Sequence, residues 1–283
     1  MFKTPKEQIW FFDCAWVPDP KAGRLLYGLP GDAPDAEVLR ELWRRNGATP
    51  DNPQPPLKSR LCRVVSIAAV LRRQRAGEVK LDLLWLPRDT THPDNTAEAS
   101  VIGTFLQAIG KSHPQLVGFG SRQTDLATLV QRAVVQGVSA PEFCHPPDKG
   151  GEAVDYFDRD NAYHVDLAEM LGVAGENCGF ARDEIATLSG IPGRQQTGGQ
   201  DVAQLWQDGK WKDIVQHNCY DALTTYLVWL RLAHLAGHLD DEQYGDEQQV
   251  LTDRLLELAE KPETEFLNRY LEAWERLQLA TAQ

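Results

Sequence analysis

Three aspartates stand where this chain could assemble a carboxylate centre. Asp13 interrupts the apolar run in IWFFDCAWVPD, residues 9–19. Asp125 opens the amphipathic segment DLATLVQRAVVQG, and Asp221 follows His217 by four residues in HNCYDALTTYLVWLRL. Carboxylates delivered from separate elements can converge on divalent cations that activate water and stabilise a leaving oxygen. Hard oxygen donors select Mg²⁺ or Mn²⁺. Asp13 is the most telling of the three, because an aspartate among IWFF is costly to bury unless something pairs with it. Asp125, after Thr124, is equally a helix cap. His217 and Asp221 are equally an ordinary i,i+4 pair on one helix face. Spacing alone leaves both readings open.

The elements that must carry these residues follow from periodicity. Residues 8–16 read as a buried strand, and 61–73 and 79–87 as two more, joined by a link short enough for a hairpin. Between the first two, residues 21–60 are rich in Pro, Gly and Asp around one helical patch, EVLRELWRRN, and read as a surface insertion. A helix is expected over 96–111, a short strand at QLVGFG (115–120), and a helix from Asp125 that stops at Gly137. Residues 138–160 read as a loop, AYHVDL (162–167) as an edge strand, and 168–172 and 181–189 as helices. A long helix over about 209–234 carries His217 and Asp221. Two acidic amphipathic helices, about 240–260 and 262–280, complete an α/β pattern with a mixed sheet.

Composition sets outer bounds. Hydrophobic and charged fractions are ordinary, and no run of about 18 apolar residues predicts a membrane span. The first ten residues lack the apolar stretch of a secretory signal, and five scattered cysteines without a C-x-x-C pair suit reduced thiols; both favour a cytoplasmic protein. The net charge of −12 does not advertise nucleic-acid binding, but residues 235–283 hold twelve acidic against four basic side chains, which accounts for −8 of it. Charge therefore neither supports nor excludes a nucleic-acid substrate.

From about residue 9 onward the chain resembles the DEDD exonuclease superfamily. Within it, the likeness is to the 3′-5′ exonucleases related to the proofreading domain of family-B DNA polymerases. DCAWVPD resembles the first motif, an Asp-x-Glu on a strand followed by Pro-Asp. GFGSRQTDLATL resembles the second motif, and HNCYDALTTYLVWLRL the third. HVDLAEML and EIATLSGIPGR…DVAQLW resemble connecting blocks. The resemblance implies an RNase H-like mixed sheet with flanking helices and acidic C-terminal helices. The chain reads as one domain over residues 1–283: a catalytic core to 234 with the insertion at about 21–60, then a helical extension over 235–283. The resemblance also implies two Mg²⁺ or Mn²⁺ ions held by Asp13, Asp125 and Asp221. Cys14, Ala15, Trp16, Ser121, Arg122 and Arg194 would lie against substrate, with Asp166 structural or substrate-positioning. The implied substrate is a nucleic acid with a free 3′ end, single-stranded DNA before RNA. A protein partner on the acidic C-terminal helices is a further expectation.

Two positions depart from the motifs. His217 stands where the family has tyrosine, and an imidazole can orient or deprotonate a water as well as a phenol can. Ala15 stands where the family has a catalytic glutamate and offers no oxygen. Neither Asp19 nor Glu184 is spaced to replace it. A missing ligand misplaces the nucleophile, so strongly impaired hydrolysis is expected. Natural loss, a substitute ligand and a deliberate substitution all account for Ala15; the intact flanking motif favours a single recent or deliberate change. The rival function is a non-catalytic nucleic-acid-binding or protein-interaction module.

Overall fold

The computed structural model describes residues 2–146, 153–175, 178–194 and 202–281. Parts of the 138–160 loop and of the block after GIPGR lie outside them. Five strands form one sheet: β1 (Gln8–Pro18), β2 (Cys62–Arg75), β3 (Glu78–Leu86), β4 (Gln115–Gly118) and β5 (His164–Asp166). Their order is β3-β2-β1-β4-β5, antiparallel among the first three and parallel from β1 through β4 to β5. This is the mixed sheet expected of an RNase H-like fold. Ala76 and Gly77, both with positive φ, make the β2–β3 turn as tight as the sequence predicts.

β1 is central and buried on both faces, which is why its sequence is a near-continuous apolar run. Trp10, Phe12 and Cys14 face α3 (Glu98–Ser112) and α4 (Asp125–Gln136). Ile9 and Phe11 face α7 (Trp211–Leu235), where Phe11 meets Tyr226 and Trp229 with ring centroids 4.9 and 4.8 Å away. The insertion is partly ordered into α1 (Pro20–Tyr27) and α2 (Asp35–Arg45), whose Val38, Leu42 and Trp43 are buried. Shorter helices α5 (Cys178–Leu188) and α6 (Val202–Gln207) precede α7.

α7 is buried around almost its whole circumference, as a helix apolar on every side must be. Its outer side is covered by α8 (Asp241–Ala259) and α9 (Leu267–Thr281). Tyr270 stacks on Tyr220 at 5.4 Å, and the Tyr220 hydroxyl donates to the Phe266 carbonyl. The Arg72 guanidinium of β2 donates to both oxygens of Glu247 in α8, at 2.5 and 2.9 Å. The acidic C-terminal helices thus spend their apolar stripes on their own core. Among the described residues no helix is long and apolar enough to cross a membrane, and all five cysteines are unpaired.

Candidate active site

The parallel pairing of β1 with β4 ends at Phe11–Val117, and beyond it the strands separate. A crevice of this kind, past the carboxyl ends of parallel strands, is where open α/β sheets place their sites. Asp13 lies on β1 just past the split. Asp125, the first residue of α4, reaches across it: its Oδ1 accepts the Cys14 backbone N–H at 3.0 Å, and its Oδ2 accepts the Thr124 hydroxyl at 2.7 Å. Asp125 is therefore not the side-chain cap of its own helix; it ties the helix start to β1. Asp221 comes from the middle of α7.

The residue that joins them is Arg182 of α5, which the motifs do not point to. One of its terminal nitrogens donates to Asp13 Oδ1 at 2.9 Å and the other to Asp221 Oδ1 at 2.5 Å. Its side chain is 3% exposed. Arg194 approaches Asp221 from the open side, with Nε and Nη2 donating at 3.0 and 2.5 Å to Oδ2. The loop that carries Arg194 is held by Thr224, whose hydroxyl donates to the Pro192 carbonyl at 2.7 Å. Gly193 lets that loop approach α5 closely, since a Cβ there would lie 3.1 Å from the Asp183 carboxyl.

Burial and charge set the protonation of the centre. Burial raises Asp13 well above the usual carboxylate range, and the nearby Asp221 charge adds to the rise. Asp125 is raised by burial to about 6, despite the bonds from Thr124 and Cys14. Burial opposes ionisation of Asp221 too, but Arg182 and Arg194 outweigh it and hold that carboxyl below its ordinary value. The His217 imidazole is lowered by burial, against the pull of Asp221, and its Nδ1 has no hydrogen-bond partner.

Position 15 shares the face of Asp13, yet no polar gap opens there. Ala15 packs with Val17, Val65, Leu205 and Ile214, and Trp206 and Trp211 close the cluster. Several expected substrate contacts also lie elsewhere. The Cys14 side chain points to the opposite face of β1, into the core under α3 and α4. Ser121 is fully buried and bonds His164 Nε2 at 2.9 Å, so it cannot touch a substrate. Arg122 turns to Glu169, at 3.5 Å, and to the Phe157 and His164 carbonyls. These two residues flank a motif without serving its carboxylate. Asp166 accepts the backbone N–H groups of Gly120, Arg122 and Ala168, a structural role that fixes the 119–122 turn. Trp16 is partly exposed at the edge of the α3–α4 cluster.

A pair of divalent cations needs carboxylate oxygens facing two positions about 3.5–4 Å apart. Here both oxygens of Asp125 are engaged by donors of the protein, those of Asp221 by two arginines, and Asp13 Oδ1 by Arg182. Position 15, where the resemblance leads one to expect a further carboxylate, is a methyl group in an apolar cluster. Among the described residues, no group of three His, Cys, Asp or Glu side chains is assembled to hold a metal ion. The residues in this arrangement do not fit a metal pair; their charge is answered by guanidinium groups.

Next to the first turns of α7 lies a cleft of about 640 Å³. Trp85, Phe266, Lys212 and Arg269 line it, and the Arg88 guanidinium sits 3.8 Å from the Trp85 ring centroid. Aromatic side chains beside cations can hold single-stranded nucleic acid, but here Asp89, Asp213, Glu263 and Glu265 on the same walls outnumber Arg88, Lys212 and Arg269.

A family described as predicted 3′-5′ exonucleases related to the exonuclease domain of PolB matches residues 54–274. This chain belongs to that family. The matched span contains α4, α5 and α7, with Asp125, Arg182, Arg194, His217 and Asp221, whereas β1 with Asp13 and Ala15 precedes it. No curated protein matches the sequence. The family B DNA polymerase of the hyperthermophilic archaeon Pyrobaculum calidifontis is similar to 80% of the chain at 16% identity, with a TM-score of 0.42. The chain covers 26% of that polymerase.

Proposed function

We propose that this chain engages nucleic-acid 3′ ends at the Asp13–Asp125–Asp221 centre, as a 3′-5′ exonuclease-type domain whose hydrolysis is strongly impaired as the chain stands. The observation that carries the reading is the meeting of β1, the start of α4 and the middle of α7 at one crevice, each bringing an aspartate. Family membership supplies the reaction class. The cleft beside α7 offers the strand Trp85 and Phe266 for bases and Arg88, Lys212 and Arg269 for phosphates, against four carboxylates on the same walls.

Impairment rests on Ala15, which brings no oxygen to the centre, and on the apolar packing around it. Arg182 bears on how the site came to be so. Loss of one glutamate would not by itself bring a buried arginine between two aspartates.

Binding and cleavage are tested together with a fluorescent single-stranded oligonucleotide, supplied either linear with a 3′ hydroxyl or closed into a circle. The linear form is expected to bind more tightly, with little shortening in Mg²⁺ or Mn²⁺. Equal binding of both forms would refute end recognition. Absence of binding to any DNA or RNA would refute the nucleic-acid reading altogether.

A further inference from the structure

We propose that Arg182 is a resident cation that stands in for a metal ion between Asp13 and Asp221, so that these two carboxylates are paired without divalent metal and the centre resists loading it. The inference rests on the reading above only in taking these aspartates as the acidic centre of the family. Its geometry is that of a built site. A single planar guanidinium spans both carboxylates, one terminal nitrogen to each, at 2.9 and 2.5 Å. Side-chain exposures of 3% for Arg182 and 4% for Asp221 leave the pair no room to be a casual surface contact.

Arg182 also breaks the pattern of its own helix. It lies on the inward side of α5 with Ala181 and Ala186, positions where an unpaired cation would be strongly disfavoured. What it finds there is two carboxylates that would otherwise repel each other across the crevice. An arginine cannot be titrated away under ordinary conditions, and its fork matches carboxylate geometry better than a lysine would. Arg194 closes Asp221 from outside, so an entering ion would have to displace two guanidinium groups. Ala15 fits this arrangement: with one carboxylate fewer, the internal and the rim cation face four, Asp13, Asp125, Asp221 and Asp183, the last of them 3.5 Å from Arg182 Nε.

The test is a Mn²⁺ titration of the whole chain followed by electron paramagnetic resonance, with thermal unfolding as a second readout and no nucleic acid present. The parent chain is expected to show no saturable Mn²⁺ binding at micromolar concentrations. Arg182→Leu is expected to melt lower without metal, to bind Mn²⁺ more than about tenfold more tightly, and to regain melting temperature as Mn²⁺ is added. Arg182→Gln carries the same comparison if the leucine variant does not fold.

Micromolar Mn²⁺ binding by the parent that Asp221→Asn abolishes would overturn the proposal. So would tight binding by Ala15→Glu with Arg182 intact, because the missing carboxylate alone would then be the obstacle. Failure of Arg182→Leu and Arg182→Gln to gain affinity would overturn it as well. Oligonucleotide binding is measured separately, so loss of the 3′-end reading leaves this result standing or falling by itself.

Discussion

Asp125 accepts the backbone N–H of Cys14, 111 positions earlier in the chain, at the point where β1 and β4 part. A side chain here takes over a backbone bond that the sheet can no longer make. Removing it with Asp125→Ala leaves a buried donor unsatisfied, and a loss of about 1–3 kcal/mol is expected in urea unfolding. Asp125→Asn keeps an acceptor for Cys14 and should lose distinctly less. Equal losses would mean that the tether is not what Asp125 contributes.

The same residue gives a pH dependence of defined sign. Its carboxyl is raised from the ordinary 3.8 to about 6 by burial, so between these values the folded state holds a proton there that the unfolded chain has released. Stability contributed by Asp125 therefore falls as pH rises from about 4 to about 6, and is level above that. Asp221 acts oppositely: it is held below 3.8 by Arg182 and Arg194, so its contribution is present above about 4 and is lost as pH falls below it. Asp13, raised in the same direction, adds to that decline, so Asp125→Asn is expected to make it shallower between pH 4 and 6, read as the difference in unfolding free energy between variant and parent across that range. An unchanged slope would contradict the assignment.

Arg72 and Glu247 join the sheet to α8 with both side chains buried, and the Tyr226 hydroxyl donates to the same glutamate at 3.0 Å. Breaking this pair from one side strands a buried charge. Glu247→Ala is expected to cost about 3–5 kcal/mol, whereas the double variant Arg72→Met/Glu247→Leu should cost far less. A chain ending before α8 should not fold cooperatively, since it would uncover Leu223, Tyr226 and Leu227 of α7. Circular dichroism and a urea transition of that truncated chain check whether the extension is part of one folding unit.

Single-stranded DNA should depend on the cleft beside α7. Trp85→Ala is expected to weaken binding by about 1–3 kcal/mol, the range found for loss of one base–aromatic stack. Arg269→Ala should weaken it too, and should reduce the salt dependence of binding by about one phosphate contact. Ser121→Ala, by contrast, should leave DNA affinity unchanged. Fluorescence anisotropy at several salt concentrations separates these outcomes.

Much of the fold was legible because its elements announce themselves locally. β1 is an apolar run, α4 begins at Asp125 and stops at Gly137, and the Ala76-Gly77 turn fixes the hairpin. The three aspartates were legible for a related reason: each sits at a strand or helix position with its own signature. Arg182 was not, because an arginine in an amphipathic segment looks the same whether it meets solvent or two carboxylates. Only the packing of α5 on α7 distinguishes those cases. Ser121 and Arg122 bond to His164, Glu169 and nearby carbonyls, because adjacency to a motif in sequence says nothing about which way a turn aims its side chains. Ala15 drew attention in the sequence only through the motif it departs from. That Leu205 closes over it beside Ile214 depends on α6, which is too short to read from periodicity.

The most direct test of the account is stepwise shortening of a 5′-labelled single-stranded DNA in Mn²⁺, comparing the parent with Ala15→Glu/Arg182→Leu. The account predicts that the double variant, given back a carboxylate and relieved of the internal cation, removes nucleotides from the 3′ end at least about 100-fold faster than the parent. A parent chain that shortens the strand as fast as the double variant would contradict it.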